Sequence, residues 1–350
     1  MALAQILLSS AAMTMAAAIW YHFNFGLREY MEPLKDACGL NGPPKGDAPP
    51  HLKLGFGFLD GLHCLLTPFF LDCVALPAGR FFVIKTLELA AAVMALMAVE
   101  DCRTSARGFV RGSILVLIAS QIVGVSVAVP FLWLPCFLLF ARRHVEGAFL
   151  PAGKMPGVAV ASALAALLTA PLAAASLLPD DARLRVVVNF NLLLPALPLL
   201  WMLSPGGRAP GNAAAASALR AAAAVAFVMH VAAFADLALS HNLDGTAAAR
   251  AVAAVASRAS PDLFPANFML FDFLGLLGAA AIFAISEFGS SEVVGMAAKA
   301  VIIGPGAAFA LACAAREERL AASAAAAPPP PAEGEKPWGW KPRVAPPKRD

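Results

Sequence analysis

The chain has 350 residues, 60% of them hydrophobic and 14% charged, with a formal net charge of +3. Soluble domains carry about 25% charged residues, so a soluble fold is excluded, and so small a net charge gives no ground for nucleic acid as a partner. The six cysteines (Cys38, Cys64, Cys73, Cys102, Cys136, Cys313) are scattered without a CxxC pair, which argues against a disulfide framework or a zinc site.

A bilayer core about 30 Å thick takes about 20 apolar residues per helix, and the chain supplies that pattern repeatedly between short loops of Arg, Pro and Gly. The expected fold class is therefore all-α, a polytopic transmembrane helix bundle, because the alternating strands of a membrane barrel are absent. In chain order the spans fall at 2 to 24, 54 to 78, 81 to 99, 113 to 141, 155 to 178, 186 to 203, 218 to 240, 267 to 286 and 293 to 315, about nine within a range of seven to nine. The first lacks a basic leader and a small-residue cleavage site, so it reads as a retained anchor. The second and third are interrupted by charges, and the last carries Lys299 and Pro305. Residues 1–315 form the bundle. Residues 316–350, rich in Ala, Pro and Lys, read as a disordered tail. No internal repeat is visible, which removes support from an inverted-repeat transporter.

With nine spans, 18 Lys and Arg fall on the side of the odd-numbered loops and the tail, against 6 on the other. Positive residues mark the cytoplasmic side, so the tail is expected in the cytosol, and the endoplasmic reticulum is the expected membrane. This topology gathers polar residues into the cytosolic leaflet: Asp60 and His63 one turn apart, Asp236 near the end of its span, His22, Asn24, Glu100, Gln121, Asn189 and Asn191. Asp272, in FMLFDFLGLL, joins them about 8 Å inside the membrane.

Carboxylates at such depth cost several kcal/mol unless they pair, face water or stay protonated, and they mark function by default. An apolar site disfavours the charged form and makes a general acid. Phe264, Phe268, Phe271 and Phe273 near Asp272, with Phe69 and Phe70, supply aromatic faces that stabilise cations. Each residue also has a structural reading: Asp60 with His63 as an interhelical pair, Glu100 with Arg103 as an interfacial salt bridge, Lys85 with Glu88 as an i, i+3 pair, and the amides as packing groups. His230 is the kind of lone histidine that bonds a neighbouring helix. Only Asp272 and Asp236 have no opposite charge within one turn.

The histidines form no HxxxH, and Asp180–Asp181 lacks a third carboxylate spaced to hold magnesium on a diphosphate. No GxSxG or glycine-rich phosphate loop occurs. Protonation of an alkene or epoxide remains as a way to start prenyl chemistry, with no metal or cofactor.

Four stretches, GFLDGLHCLLTPFF (57 to 70), VEDCR (99 to 103), QIVGVSVAVPFLWLP (121 to 135) and FMLFDFLGLL (268 to 277), resemble segments of the fungal integral-membrane terpene cyclases of ascofuranone and ascochlorin (meroterpenoid) biosynthesis. The resemblance runs from the second span to the eighth but excludes the tail. It implies a multi-span enzyme that closes an epoxidised farnesyl chain on an aromatic ring without a metal, with Asp60, Glu100, Gln121 and Asp272 at matching positions. Gly61 follows Asp60, so a mechanism needing adjacent carboxylates there is unavailable.

The expected function is a membrane terpene cyclase (intramolecular, isomerase type) acting on a lipophilic prenylated small molecule. Its catalytic candidates are Asp272, Asp236, Asp60 and Glu100; the substrate-contacting candidates are His63, Gln121, Phe268, Phe271 and Asn189. The alternatives are a small-molecule or proton-coupled transporter, and a non-catalytic scaffold subunit.

Overall fold

The structure, a computed structural model, describes residues 2–26, 28–43, 45, 49, 55, 57–103, 106–141, 182, 211–258 and 260–326. These residues are mainly helical, and no β-strand occurs among them. Four helices are long and apolar enough to cross a membrane: Leu3–Phe25, Pro77–Asp101, Asn212–Ser240 and Phe264–Phe288. That is compatible with an integral membrane protein. The spans expected at 155 to 178 and 186 to 203, with Asn189, Asn191 and Asp180–Asp181, lie outside the described residues.

The chain begins with α1 (Ala2–Tyr21), then α2 (Arg28–Ala37), α3 (Gly57–Ala75) and α4 (Pro77–Asp101). Pro77 opens α4 at the helix start, where its missing N–H costs nothing. The direction of α4 is fixed by its partners. Near its start Arg80 binds Asp236, near the end of α8 (Asn212–Ser240), so these helices run antiparallel. Thr86 donates to the carbonyl of Met269 on α10 (Phe264–Phe288), while Glu100 and Glu287 share Arg316, so α4 and α10 run parallel. Between α8 and α10 lies α9 (Gly245–Ser257), whose first turn is capped by Asp244 and which ends at Arg258 in the left-handed conformation.

The bundle therefore has two ends. At one, the "disulfide end", the end of α1 and the starts of α4 and α10 meet the end of α8. A disulfide, Cys38–Cys64, ties the turn after α2 to α3 there. The scattered spacing of the cysteines argued against a disulfide framework, and a single pairing forms, between a loop and a helix 26 residues apart brought together by the fold. At the other, the "arginine end", Arg103 and Arg316 lie among Glu100, Glu287 and Glu317.

Two expected spans are not single crossings. The stretch 113 to 141 is α5 (Ser113–Val123), a break at Gly124, and a return limb of α6 (Val125–Ala128), a π-helical turn (Val129–Trp133), α7 (Leu134–Cys136) and a second π-helical turn (Phe137–Ala141). Pro130 and Pro135 deprive that limb of two amide donors, and wide turns accommodate the loss. The limb comes back to where α5 began: a Cβ on Gly108 would stand 3.7 Å from the Cys136 sulfur. The stretch 293 to 315 likewise splits at Gly304 into α11 (Ser290–Ile303) and α12 (Pro305–Ala326). Arg319 of α12 pairs with Glu292 of α11 at 3.0 Å, so these helices fold back on each other. Both hairpins leave and re-enter at the arginine end.

Residues 2–141 and 212–326 thus share an order of elements: a long helix, a helical connection at the disulfide end (α2 and α3 in the first half, the single α9 in the second), a 25-residue helix (α4, α10), and a glycine-broken hairpin. Their packing is reciprocal. The return limb of the first hairpin lies on α1 and α10, that of the second on α8 and α4, with α4 against α10 between them. No repeat is visible in the sequence, and the likeness of the halves is carried by the order of backbone elements, with α4 and α10 parallel, rather than by residue identity. The tail boundary also moves, since α12 continues from Pro305 to Ala326 with Arg316 and Glu317 buried.

Packing follows from small residues. On α8 Ala215, Leu219, Ala222, Ala226, Met229 and Ala233 are buried at intervals of three to four residues, with Ala216, Ala223 and His230 buried beside them, while Val228, Val231 and Phe234 are exposed. Alanines on such a face let helix backbones approach where lipid offers no hydrophobic contrast.

Candidate functional site

Each hairpin tip ends on a buried carboxylate from the other half. Gly124 (φ 89°, ψ 145°) and Gly304 (φ 90°, ψ 149°) adopt the same conformation, one that side chains rarely tolerate. Two residues beyond each, a free backbone N–H points inward. The Ser126 N–H donates to Asp272 Oδ1 of α10 at 3.1 Å, and the Gly306 N–H donates to Glu88 Oε1 of α4 at 3.0 Å. Unsatisfied N–H groups at a helix start attract negative charge.

The two carboxylates have different company. Glu88 is paired with Lys85 one turn earlier, as the i, i+3 spacing foretold, and Lys85 also reaches His230 Nδ1 of α8 at 2.7 Å. The Lys85 ammonium lies 6.0 Å from the ring centres of Phe234 and of Phe273. Charge here is balanced and enclosed. Asp272 is 6% exposed and accepts a second hydrogen bond from the Ser126 hydroxyl, at 2.6 Å, again on Oδ1. Among the described residues no Lys or Arg pairs with it, and Oδ2 takes no hydrogen bond.

Aromatic rings flank Asp272 as its sequence neighbours suggested. Phe23 stacks on Phe268 at 3.8 Å, Phe69 meets Phe268 edge-on, and His22 lies 4.0 Å from the Phe271 ring. A Cβ on Gly124 would stand 3.1 Å from Asp272 Oδ1 and 3.4 Å from Phe23, which sets that ring beside the carboxylate. Toward the disulfide end, His22 Nε2 and Arg258 Nε both meet Asn267 Oδ1, at 3.1 and 3.0 Å, and Arg258 contacts His22 directly. The carboxylate thus stands at the inner end of a wall running His22, Phe271, Phe268, Phe23.

The other candidates go elsewhere. Asp236 is not isolated: Arg80 binds it at 2.9 Å and also holds Ser240 and the Val74 carbonyl, with both charges buried. Glu100 does form the expected pair with Arg103, and with Arg316 too, but at the arginine end, about 30 Å along α4 from Arg80. The grouping of all these residues in one leaflet therefore fails for Glu100, because α4 crosses the bundle between the two. Asp60 accepts from the Gly55 N–H at the start of α3, about 13 Å along that helix from Phe69. His63 is buried beside Thr67, whose hydroxyl donates to the His63 carbonyl. Gln121 lies on α5 three residues before the tip, its side chain outside the described part, as is Asn189. A small void of about 10 Å³ lies among Val93, Leu96, Trp133, Leu134, Phe283 and Phe309. It is far below the usual 300–1,000 Å³ of ligand pockets, and no charged residue lines it.

Residues missed from sequence were Ser126, Phe23, Arg80 as a partner, Asn267, Arg258 and the two tip glycines. One signal was present: 113 to 141 is longer than the 17–25 residues a crossing needs, and Gly124 sits inside it. The chain matches no protein-family model, no curated protein and no solved structure.

Proposed function

We propose that this protein is a membrane-embedded terpene cyclase, resident in the endoplasmic reticulum, that closes the prenyl chain of a lipophilic small molecule by proton donation from Asp272. One observation carries this reading: among the described residues Asp236, Glu88, Glu100, Glu287 and Glu317 each have an Arg or Lys partner and Asp101 sits at the last residue of α4 under the Ser113 hydroxyl, whereas Asp272, well inside α10, pairs with no Lys or Arg. With both Ser126 donors on Oδ1, Oδ2 is the oxygen left to present a proton to a substrate, and the same donors hold the carboxylate that remains after transfer.

In the reaction Oδ2–H protonates an epoxide oxygen or a terminal alkene carbon. The cation that forms is attacked by the π electrons of the next double bond, which closes the ring. Loss of a proton from the final cation to the carboxylate left behind restores Asp272, so substrate and product are isomers. Phe23, Phe268 and Phe271 offer ring faces to the passing positive charge. Membranes bearing the protein, given epoxyfarnesyl-substituted phenols, are expected to yield cyclised isomers by mass spectrometry; no conversion of any prenyl substrate would sink the reading.

A second reading, a proton-coupled carrier, is favoured by the glycine breaks at corresponding positions in the two halves, a pattern of transporter binding sites. Proteoliposomes separate the two: a carrier acidifies or alkalinises the lumen when substrate is added, whereas a cyclase changes the substrate and leaves the lumenal pH alone.

A further inference from the structure

We infer that the disulfide end of the bundle faces an oxidising, exoplasmic compartment and the arginine end faces the cytosol, which places the Asp272 centre in the exoplasmic half of the membrane. Cys38 and Cys64 are joined across the turn after α2, at the same end as the termini of α1 and α8 and the start of α10. Cytosolic thiols are held reduced, while secretory compartments oxidise them. The bond forms by exchange with a protein disulfide: the two thiols lose two protons and two electrons, and the donor leaves as a dithiol.

The free cysteines are distributed to match. Cys102 follows the last turn of α4, Cys136 lies against Gly108, and Cys313 is on α12 one turn from Arg316, so all three belong to the arginine end. Cys73, Cys102 and Cys313 are buried out of reach of an oxidant, so the free thiol that bears on orientation is Cys136, half-buried at the arginine end. Near the two ends, Lys and Arg number six each among the described residues, so the charge there is even and thiol chemistry carries the assignment. The loop after α1, expected in the cytosol from charge counting over nine spans, is thereby reversed, while the chain after α12 stays cytosolic because α12 emerges at the arginine end.

The consequence concerns access. Asp272 lies about 12 Å along α10 from Phe264 at the disulfide end, and His22, Asn267 and Arg258 lie between it and that surface. A prenylated substrate with a polar head then reaches Asp272 from the exoplasmic leaflet, head outward. This step rests on the cyclase reading; the orientation does not.

The test uses the full wild-type chain in sealed, cytosol-side-out microsomes. Thiols are alkylated, an impermeant phosphine reductant is added with or without permeabilisation, and newly released thiols are counted by a mass-tagged maleimide. Two new adducts are expected only after permeabilisation. Two adducts in sealed vesicles, or alkylation of Cys38 and Cys64 before any reductant, would overturn the orientation. A tag after Asp350, expected to be cleaved by external protease in the same vesicles, overturns it if protected. Neither readout needs enzymatic activity, so failure here is distinct from failure of the cyclase reading.

Discussion

Replacing Gly304 by Ala tests the hairpin architecture at its tightest point. The residue sits at φ 90° and ψ 149°, a conformation that costs an L-residue about 1–3 kcal/mol. Its new methyl would overlap Glu88 Oε1 and stand 2.7–2.8 Å from the His230 ring, within a triad that has no slack because Lys85 already bridges both. Overpacking of this kind costs a further 1–3 kcal/mol or so, for a total of about 2–6 kcal/mol. Gly124→Ala shares the backbone strain but meets its neighbours at 3.1 and 3.4 Å, so it falls near the low end. Gly295, on α11 with no atom within 4 Å of a Cβ, provides the control, and Gly295→Ala gains about 0.5–1 kcal/mol of helix propensity. Thermal unfolding in detergent should rank the variants Gly304→Ala, Gly124→Ala, wild type, Gly295→Ala from least to most stable. A Gly304→Ala protein as stable as wild type would mean that the chain passes this point as a plain helix, and the re-entrant hairpin would be wrong.

Other outcomes follow from the buried charges and the caps. Arg80→Met strands Asp236 without its cation and should cost about 3–5 kcal/mol; adding Asp236→Asn should recover much of it, and a double variant no better than the single would show that the pair is not coupled. Arg319→Ala removes a half-exposed pair with Glu292 and should change the melting temperature little, since such pairs contribute about 0–1 kcal/mol; a large drop would refute this. Asp244 caps α9 with its carboxyl held below the usual range, chiefly by the Thr246 hydroxyl and then by the Ala247 and Thr246 amides. The carboxylate is favoured in the folded state, so this contribution is complete at neutral pH and is lost as pH falls through the lowered pKa. Amide exchange at neutral pH should accelerate in the first turn of α9 in Asp244→Ala and not in Asp244→Asn, which keeps an accepting oxygen; equal rates in all three would remove the cap.

Composition made the helical, membrane-compatible character legible, because a chain so poor in charge has little else it can be. The local pairs Lys85–Glu88 and Glu100–Arg103 were legible too, since i, i+3 spacing on a helix decides them without knowledge of the fold. The rest depended on which helices meet. Asp236 looked isolated because Arg80 lies 156 positions away, and Glu100 looked like its neighbour because counting spans cannot show that α4 delivers Glu100 to the far end. The likeness of the halves left only a glycine inside an apolar run as its trace, once in QIVGVSV and once in VIIGPGA. Hydropathy reads such a run as one crossing, since a re-entrant hairpin and a span bury the same kinds of side chain.

The donor role proposed for Asp272 is tested most directly by Asp272→Asn. The Asn carbonyl can accept from both the Ser126 N–H and its hydroxyl, as Oδ1 does now, so the tip at Gly124 and the fold are kept. The amide cannot supply an acidic proton. In purified protein melting close to wild type, turnover of an open-chain prenyl substrate to its cyclised isomer should fall about 10²- to 10⁴-fold, with part of it restored by Asp272→Glu. Turnover of the Asn variant within twofold of wild type would contradict the account and leave Asp272 as the cap of a broken helix.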